Sequence, residues 1–562
     1  MTQASAPWRR QTLGDTLRRS RMRHPHKRAL MWRNECISYG ELDERANQLA
    51  HALLTHGVRK GDRVAILATN CLDFVIVHFA VARTGAILVP INFMFEQSDI
   101  LYILNHCRPK ALFVTPNRLR VAEDVLAAWP PASTADGVRH ASAGKAAQAS
   151  FLRIVIDSDE TVPGWTTLAQ LSVGQPREEL DVELADTDVA HILYTSGTES
   201  RPKGVMLTHQ NLIWEYVSCI VDFEFQPDDV LVHAMPFFHS AQLHAFLGPS
   251  IYIGSTGVIL DSPEPGRLLR TLQEARVTQF FCPPTVWIAM TNHPDYSHTD
   301  LTALRKCYFG AAATPMEVME SAARELPQVR IWNTYGQTEV APFATVLRPE
   351  EQRIKPGSVG RPCLNMETAI MDEEGHLLSP GELGEIVHRS PHVMLGYYAD
   401  EPRTEAAFAY GWFHTGDLGF FDADGFLTVV DRKKDMVKTG GENVSSLEVE
   451  EVLYQHSDVQ EAAVIGVPHP YWGEAVTAVL VPRSGAAADA DEVLSFCRRR
   501  LAPFKVPKYV VFTDTLPKNP SGKILKRELR VRYRDLALQA GVDTAASAAS
   551  EPGTAAPPAD TV

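Results

Sequence analysis

Tyr194-Thr195-Ser196-Gly197-Thr198-Glu199-Ser200-Arg201-Pro202-Lys203-Gly204-Val205 follows a short apolar strand, Ala190 to Leu193, and leads into Met206-Leu207-Thr208. Hydroxyls, a glycine and a lysine gathered on one loop suit a phosphate cradle, because unpaired backbone N–H groups and hydroxyls donate to phosphate oxygens. The stretch is not a Walker loop, since Pro202 stands where that pattern needs its second glycine. Taken alone, it fits a plain surface turn as readily. The rest of the chain has to decide.

Upstream, apolar runs alternate with helix-period stretches. Arg63 to Leu67 and Ala111 to Val114 read as buried strands. Between Tyr39 and Leu54, residues Leu42, Ala46, Leu49, Ala50 and Leu53 share one helical face. That alternation predicts an α/β architecture with a largely parallel sheet. The longest apolar run, Phe74 to Phe95, is broken by His78, Arg83 and Pro90, which makes it a core segment rather than a membrane span.

Downstream of Asp435 the elements shorten. Val444 to Tyr454 reads as a helix, Val459 to Val467 and Val476 to Val481 as strands, and Asp491 to Leu501 as a helix ended by Pro503. This texture predicts a small α+β domain, with Asp431-Arg432-Lys433-Lys434-Asp435 at its boundary.

A chain of 562 residues exceeds what one hydrophobic core supports. Apolar residues at 45% and charged residues at 22% exclude a disordered or collagenous protein. A net charge of −14 gives no electrostatic footprint for nucleic acid. The eight cysteines are scattered with no C-x-x-C pair, so reduced thiols and a cytoplasmic protein are the expectation. The first thirty residues carry eight basic side chains against Asp15. They read as an opening helix, Thr12 to Arg23, or as a transit peptide.

Further motifs follow the first loop in order. They are Met235-Pro236-Phe237-Phe238-His239, Asn333-Thr334-Tyr335-Gly336-Gln337-Thr338-Glu339 and Gly411-Trp412-Phe413-His414-Thr415-Gly416-Asp417. The boundary segment comes next, then Pro517-Lys518-Asn519-Pro520-Ser521-Gly522-Lys523. Six such segments in this order resemble the acyl-adenylate-forming (AMP-binding) superfamily over about residues 10 to 538, in its acyl-CoA synthetase branch. The resemblance implies a large N-terminal domain of helix-flanked β-sheets over 1–431, with a flexible loop at 129–150. A hinge at 432–435, a small mobile C-terminal lid over 436–538 and a disordered tail at 540–562 would complete the chain.

It also implies ATP, Mg²⁺ and CoA. Thr195, Ser196, Gly197, Thr198 and Lys203 would hold phosphates, and Thr338 would donate to the α-phosphate. Tyr335 and Gly336 would meet one face of adenine, with Gly310, Ala311 and Ala312 on the other. Asp417 would accept from the ribose hydroxyls, Arg432 would contact ribose or phosphate, and Glu339 with Thr198 would hold the metal. Joining a carboxylate to ATP brings two anions together, so cations must strengthen at the α-phosphate. Lys523 takes that role, and His239 and Lys438 complete the catalytic candidates. Lys434 is the implied hinge residue, and Gly440-Gly441 the approach for the pantetheine arm of CoA, although a hairpin turn also fits that pair. Glu199-Ser200 departs from the usual Thr-Gly, and Glu199 is expected to point outward.

His239, Gln242, Leu243, Phe246 and Ala313 are the acyl-pocket candidates. No carboxylate follows Phe238-His239 to pair an α-amino group, which disfavours amino acids. The apolar pocket points to a medium- or long-chain fatty acid joined to CoA through acyl-AMP. The alternatives are an aryl-acid–CoA ligase, a fatty-acyl-AMP ligase serving a carrier protein, and a non-enzymatic adenylate-binding regulator. The partners expected are small molecules, with a homodimer as the oligomer.

Overall fold

Ser38 opens the first long helix with a reciprocal cap: its Oγ accepts from Glu41 N–H at 3.2 Å, and the Glu41 carboxylate accepts from Ser38 N–H at 2.7 Å. The helix runs Tyr39–Thr55, and the five residues read as its inner face are all buried. In this computed structural model the described residues are 10–129, 151–195, 201–312, 314–483, 489–518 and 524–539. The biased segments at 130–150 and 540–562 therefore lie outside them.

The apolar run from Phe74 divides into the helix Leu72–Thr84 and the strand Ile87–Pro90, turned by Gly85 at φ +72°. A Cβ on Gly85 would stand 2.6 Å from Leu184 Cδ2, so the turn is tight as well as left-handed. Near the end of this helix Arg83 is buried. Its guanidinium pairs with the Asp43 carboxylate and donates to Asn47 Oδ1 at 2.5 Å and to the Asp43 carbonyl at 3.0 Å. Among the described residues no helix is long and apolar enough to cross a membrane.

The chain forms two compact units that part between Val429 and Val430. The first contains three sheets. An eight-stranded sheet runs in the order Gly396–Tyr397, Lys203–Thr208, Val189–Thr195, Ile87–Pro90, Arg63–Leu67, Ala111–Val114, Leu152–Val155, Thr166–Thr167. It is parallel from Val189–Thr195 onward, and antiparallel pairing is confined to the edge that holds the Val189–Thr195/Lys203–Thr208 hairpin.

A nine-stranded sheet has six parallel central strands, Arg330–Gly336, Lys306–Phe309, Gln279–Cys282, Val230–His233, Thr256–Ile259 and Arg28–Trp32. Phe343–Leu347 and Arg361–Pro362 flank one side antiparallel, and Glu35–Ser38 the other. A four-stranded sheet, Glu367–Met371, Gly384–Arg389, Phe413–Phe421 and Leu427–Arg432, completes the set. Parallel strands end on a common edge, so the segments after Phe309 and within Tyr335–Glu339 emerge side by side. At that edge a Cβ on Gly310 would stand 2.3 Å from Thr334 Oγ1, which donates to the Phe309 carbonyl at 2.9 Å.

The second unit pairs Glu442–Val444, Val437–Thr439, Gly473–Pro482 and Val459–His469, with Tyr509–Phe512 parallel to Gly473–Pro482. The sequence reading placed a helix over Val444–Tyr454. The structure begins it at Ser446, because Glu442–Val444 pairs with Val437–Thr439 and Ser445 Oγ caps Glu448 N–H at 3.1 Å. The later helix spans Ala490–Arg498.

Two outcomes follow from this packing. Arg83→Met leaves the Asp43 carboxylate buried without its cation, and urea denaturation of the large unit is expected to lose about 3–5 kcal/mol. Gly310→Ala overpacks Thr334 and costs about 1–3 kcal/mol. Adding Thr334→Ala recovers most of that loss in a double-mutant cycle, whereas simple additivity would show that the two do not meet.

Candidate active site

At the mouth of the hairpin, Thr195 is the cross-strand partner of Lys203. The Lys203 ammonium sits 5.3 Å from the centre of the Tyr397 ring, and Tyr397 Oη donates to Glu339 Oε1 at 3.1 Å. Tyr397 comes from the edge strand beside Lys203–Thr208, with Tyr397 opposite Val205. It therefore joins the phosphate-loop candidates to the metal candidate, a link that sequence reasoning missed. Burial, with the Glu339 carboxylate adding to it, raises the Tyr397 phenol far above its usual pKa, so it remains a donor. Ser196, Gly197, Thr198 and Glu199 lie outside the described residues.

The Tyr335–Glu339 segment is tied on both sides. Thr338 Oγ1 is 3.0 Å from Ser240 Oγ, which joins it to the Met235–His239 motif. Tyr335 Oη donates to Asp417 Oδ2 at 2.7 Å, and Asp417 is buried. The turn that carries Asp417 is set by Gly416 N–H to Glu385 Oε1 at 2.9 Å and Asp417 N–H to Thr415 Oγ1 at 3.0 Å. Glu385 was another residue missed, since it lies far from every motif in sequence.

Gly336 has no room for a side chain: a Cβ would stand 1.9 Å from the Pro342 carbonyl oxygen. The Gln337 Nε2 is buried with no partner among the described residues. Across the sheet edge, Ala311 takes φ +64° and directs the chain on to Ala312. Ala313 lies outside the described residues.

On the acyl side, Ala241–Leu247 is a π-helix. His239 Nδ1 accepts from Ala241 N–H at 3.2 Å. Gln242 is fully buried and commits its amide to His233 Nδ1 at 2.9 Å and Met235 N–H at 3.2 Å. Leu243 is equally buried, in a core cluster with Leu247 and Phe237. Phe246 stacks on Phe281 with ring centres 4.3 Å apart, and Phe281 lies 3.6 Å from the Cβ position of Gly310. An aromatic pair therefore adjoins Gly310.

In the small unit, Gly440 and Gly441 form the two-residue turn between Val437–Thr439 and Glu442–Val444, with φ of +59° and +88°. This is the turn type that demands positive φ twice. Trp472 backs it, accepting from Gly440 N–H at 2.8 Å, while the exposed Lys438 donates its own N–H to Glu474. Arg432 and Lys434 lie between two fixed carboxylates. Asp431 Oδ2 accepts from Ser446 N–H at 2.6 Å and Ser446 Oγ at 2.7 Å, and Asp435 pairs with Arg530 at 2.8 Å. Lys523 lies outside the described residues.

Among the described residues no group of three or more His, Cys, Asp or Glu gathers as a metal cage. A single carboxylate, Glu339, suits a hard cation that takes its other ligands from phosphate oxygens and water.

Residues 17–398 match the AMP-binding enzyme family, and residues 448–523 match the AMP-binding enzyme C-terminal domain. A feruloyl-CoA synthase of an Amycolatopsis species is 37% identical over 93% of this chain and 100% of its own length. A long-chain-fatty-acid–CoA ligase of Bacillus subtilis (strain 168) is 34% identical over 93% of this chain and 95% of its own. The solved structure of an anthranilate CoA ligase in complex with anthranoyl-AMP superposes with a TM-score of 0.86 at 26% identity, over 96% of this chain and 100% of that one. With the strand-edge cluster of Lys203, Glu339, Tyr335 and Asp417 in one unit and a separate small unit after it, the chain belongs to the AMP-binding enzyme family and is an AMP-forming acid–CoA ligase that uses ATP and CoA.

Proposed function

We propose that the acid is aromatic, of the size class of a substituted cinnamate. The observation behind this reading is the aromatic Phe246–Phe281 stack, buried in the core directly beside Gly310. The 37% identity to a feruloyl-CoA synthase, over that relative's whole length, supports it. The fatty-acid expectation stands as the second reading, favoured by the 34% identity to a long-chain-fatty-acid–CoA ligase.

In the proposed mechanism a carboxylate oxygen attacks the α-phosphorus of ATP, the P–O bond to pyrophosphate breaks, and an acyl-AMP forms. The thiol sulfur of CoA then attacks the acyl carbon, its proton is lost and AMP departs. Lys203 and the hydroxyls of Thr195, Ser196 and Thr198 hold the phosphates, together with the N–H of Gly197. Thr338 donates to the α-phosphate, its hydroxyl already oriented by Ser240. Asp417 accepts from the ribose, its carboxylate fixed by Tyr335. Arg432 adds a contact to ribose or phosphate. Tyr335 and Gly336 flank the adenine opposite Gly310 to Ala312. Glu339 and Thr198 would hold Mg²⁺, which when bound would neutralise charge on the triphosphate.

Lys523 supplies the cation that bridges the attacking carboxylate and the α-phosphate, and His239 lies at the acyl carbon. For the second step, Lys438 and the Gly440-Gly441 turn face the pantetheine arm, with Lys434 as the pivot. The phenols of Tyr335 and Tyr397 act indirectly. Each fixes a carboxylate that would otherwise rotate.

Pyrophosphate release measured over acetate, medium- and long-chain fatty acids, benzoate and hydroxylated cinnamates, with and without CoA, tests the substrate. A CoA-dependent maximum among cinnamates is expected, and a maximum among fatty acids replaces the aromatic reading with the second one. For the lysine, Lys523→Ala is expected to lower adenylation by at least about a thousandfold, the scale of a removed transition-state charge contact. Conversion of preformed acyl-AMP to thioester stays within about threefold, a change too small to be a lost catalytic contact. Equal loss of both half-reactions removes the assignment.

A further inference from the structure

The helix Gln97–Cys107 carries Tyr102 and His106 one turn apart on the same face, with their rings stacked at 5.4 Å and 14°. His106 Nδ1 lies 2.7 Å from Tyr194 Oη, one residue before the phosphate-loop candidates begin. Beyond the loop, the Arg201 guanidinium lies over the Tyr102 ring at 5.1 Å. A third contact is Tyr398, edge-on to His106 at 5.3 Å and 88°, whose own N–H donates to the Gly204 carbonyl at 2.7 Å. Tyr398 directly follows Tyr397, the residue bonded to Glu339.

One pair of rings on one helix thus touches the strand entering the loop, the residue leaving it and the strand that reaches the metal candidate. None of these contacts is needed to close the sheet, whose backbone pairing already joins Val189–Thr195 to Lys203–Thr208. We propose that Tyr102 and His106 form a brace that holds the two described ends of the phosphate-binding candidate, Tyr194–Thr195 on one side and Arg201–Gly204 on the other, with His106 as a positioning residue for ATP. The inference rests on the phosphate-binding role proposed for that loop.

The chemistry suits a fixed strut. Burial lowers the His106 pKa against the opposing charge of Asp400, and burial raises the Tyr194 phenol, so a neutral imidazole meets a neutral phenol at neutral pH. The groups facing the imidazole are Tyr102, Tyr194, Tyr398 and Asp400.

Steady-state kinetics on the full-length enzyme test the brace. His106→Ala is expected to raise KM for ATP about tenfold, the scale of one lost buried hydrogen bond. The kcat and the KM values for acid and CoA remain within about twofold, because those groups bind elsewhere. Tyr194→Phe, which removes the hydroxyl without opening a cavity, is expected to match it. His106→Asn, which keeps a polar group near the Nδ1 position, recovers most of the affinity.

Lys203→Met serves as the reference. If it raises KM for ATP while His106→Ala and Tyr194→Phe do not, the brace is wrong and the loop assignment stands. If Lys203→Met leaves ATP binding unchanged, the loop assignment falls and the brace with it. Equal losses for ATP, acid and CoA, or no recovery in His106→Asn, also overturn the proposal, since either marks a merely structural residue.

Discussion

Parallel strand pairing is the constraint on which the large unit depends. Six adjacent parallel strands in one sheet and six in the other leave their carboxyl ends unpaired along common edges. Backbone groups at those ends need partners, and segments emerging there are brought together however far apart they lie in sequence. That is why Gly310, Thr334 and Phe281 touch although they come from three strands. The same edge excludes bulk: Gly336 is pinned against Pro342, and only a residue without a Cβ passes.

Sheet pairing places residues to within a side-chain length, and phenol–carboxylate hydrogen bonds supply the remaining precision. Tyr335 holds Asp417 and Tyr397 holds Glu339. A tyrosine suits this role better than a lysine would. It donates one directed hydrogen bond and leaves the carboxylate its full negative charge for a metal or a ribose, whereas an ammonium would neutralise it. Burial favours the neutral phenol, as the raised Tyr397 pKa shows, so the donor does not titrate away.

Much of this was legible in the sequence, for identifiable reasons. Strands such as Arg63–Leu67 and Ala111–Val114 are uniformly apolar because both sheet faces are covered, and the helix Tyr39–Thr55 announces itself through its period and its cap. The site motifs are contiguous, so Tyr335, Glu339 and Asp417 could be singled out as candidates from sequence alone. The π-helix at Ala241–Leu247 could not, because its widened turn follows from packing and has no side-chain period of its own. Gln242, an acyl-pocket candidate from its neighbours, shows the consequence: its buried amide is committed to His233 and Met235, partners that the sequence does not announce. Glu385, Tyr397 and His106 escaped because each meets the candidate site through residues distant in sequence, which leaves no local pattern.

The pivot proposed at Lys434 makes the opposite demand on segment 431–435, because it requires contacts that break. Asp431 holds both the N–H and the hydroxyl of Ser446, Ser445 Oγ donates to the Val430 carbonyl at 2.7 Å, and Asp435 holds Arg530. A turn about Lys434 separates Asp431 from the helix it caps, because the two lie on opposite sides of the pivot. A turn before Val430 would preserve every one of these bonds. A pivot at Lys434 therefore carries a penalty of about 1.5–3 kcal/mol for each hydrogen bond lost from the buried carboxylate. Carboxylates at 431 and 435 with three cations between them fit that arrangement. The acids anchor the ends, through Ser446 on one side and Arg530 on the other, and the proposed pivot lies among the three cations between them.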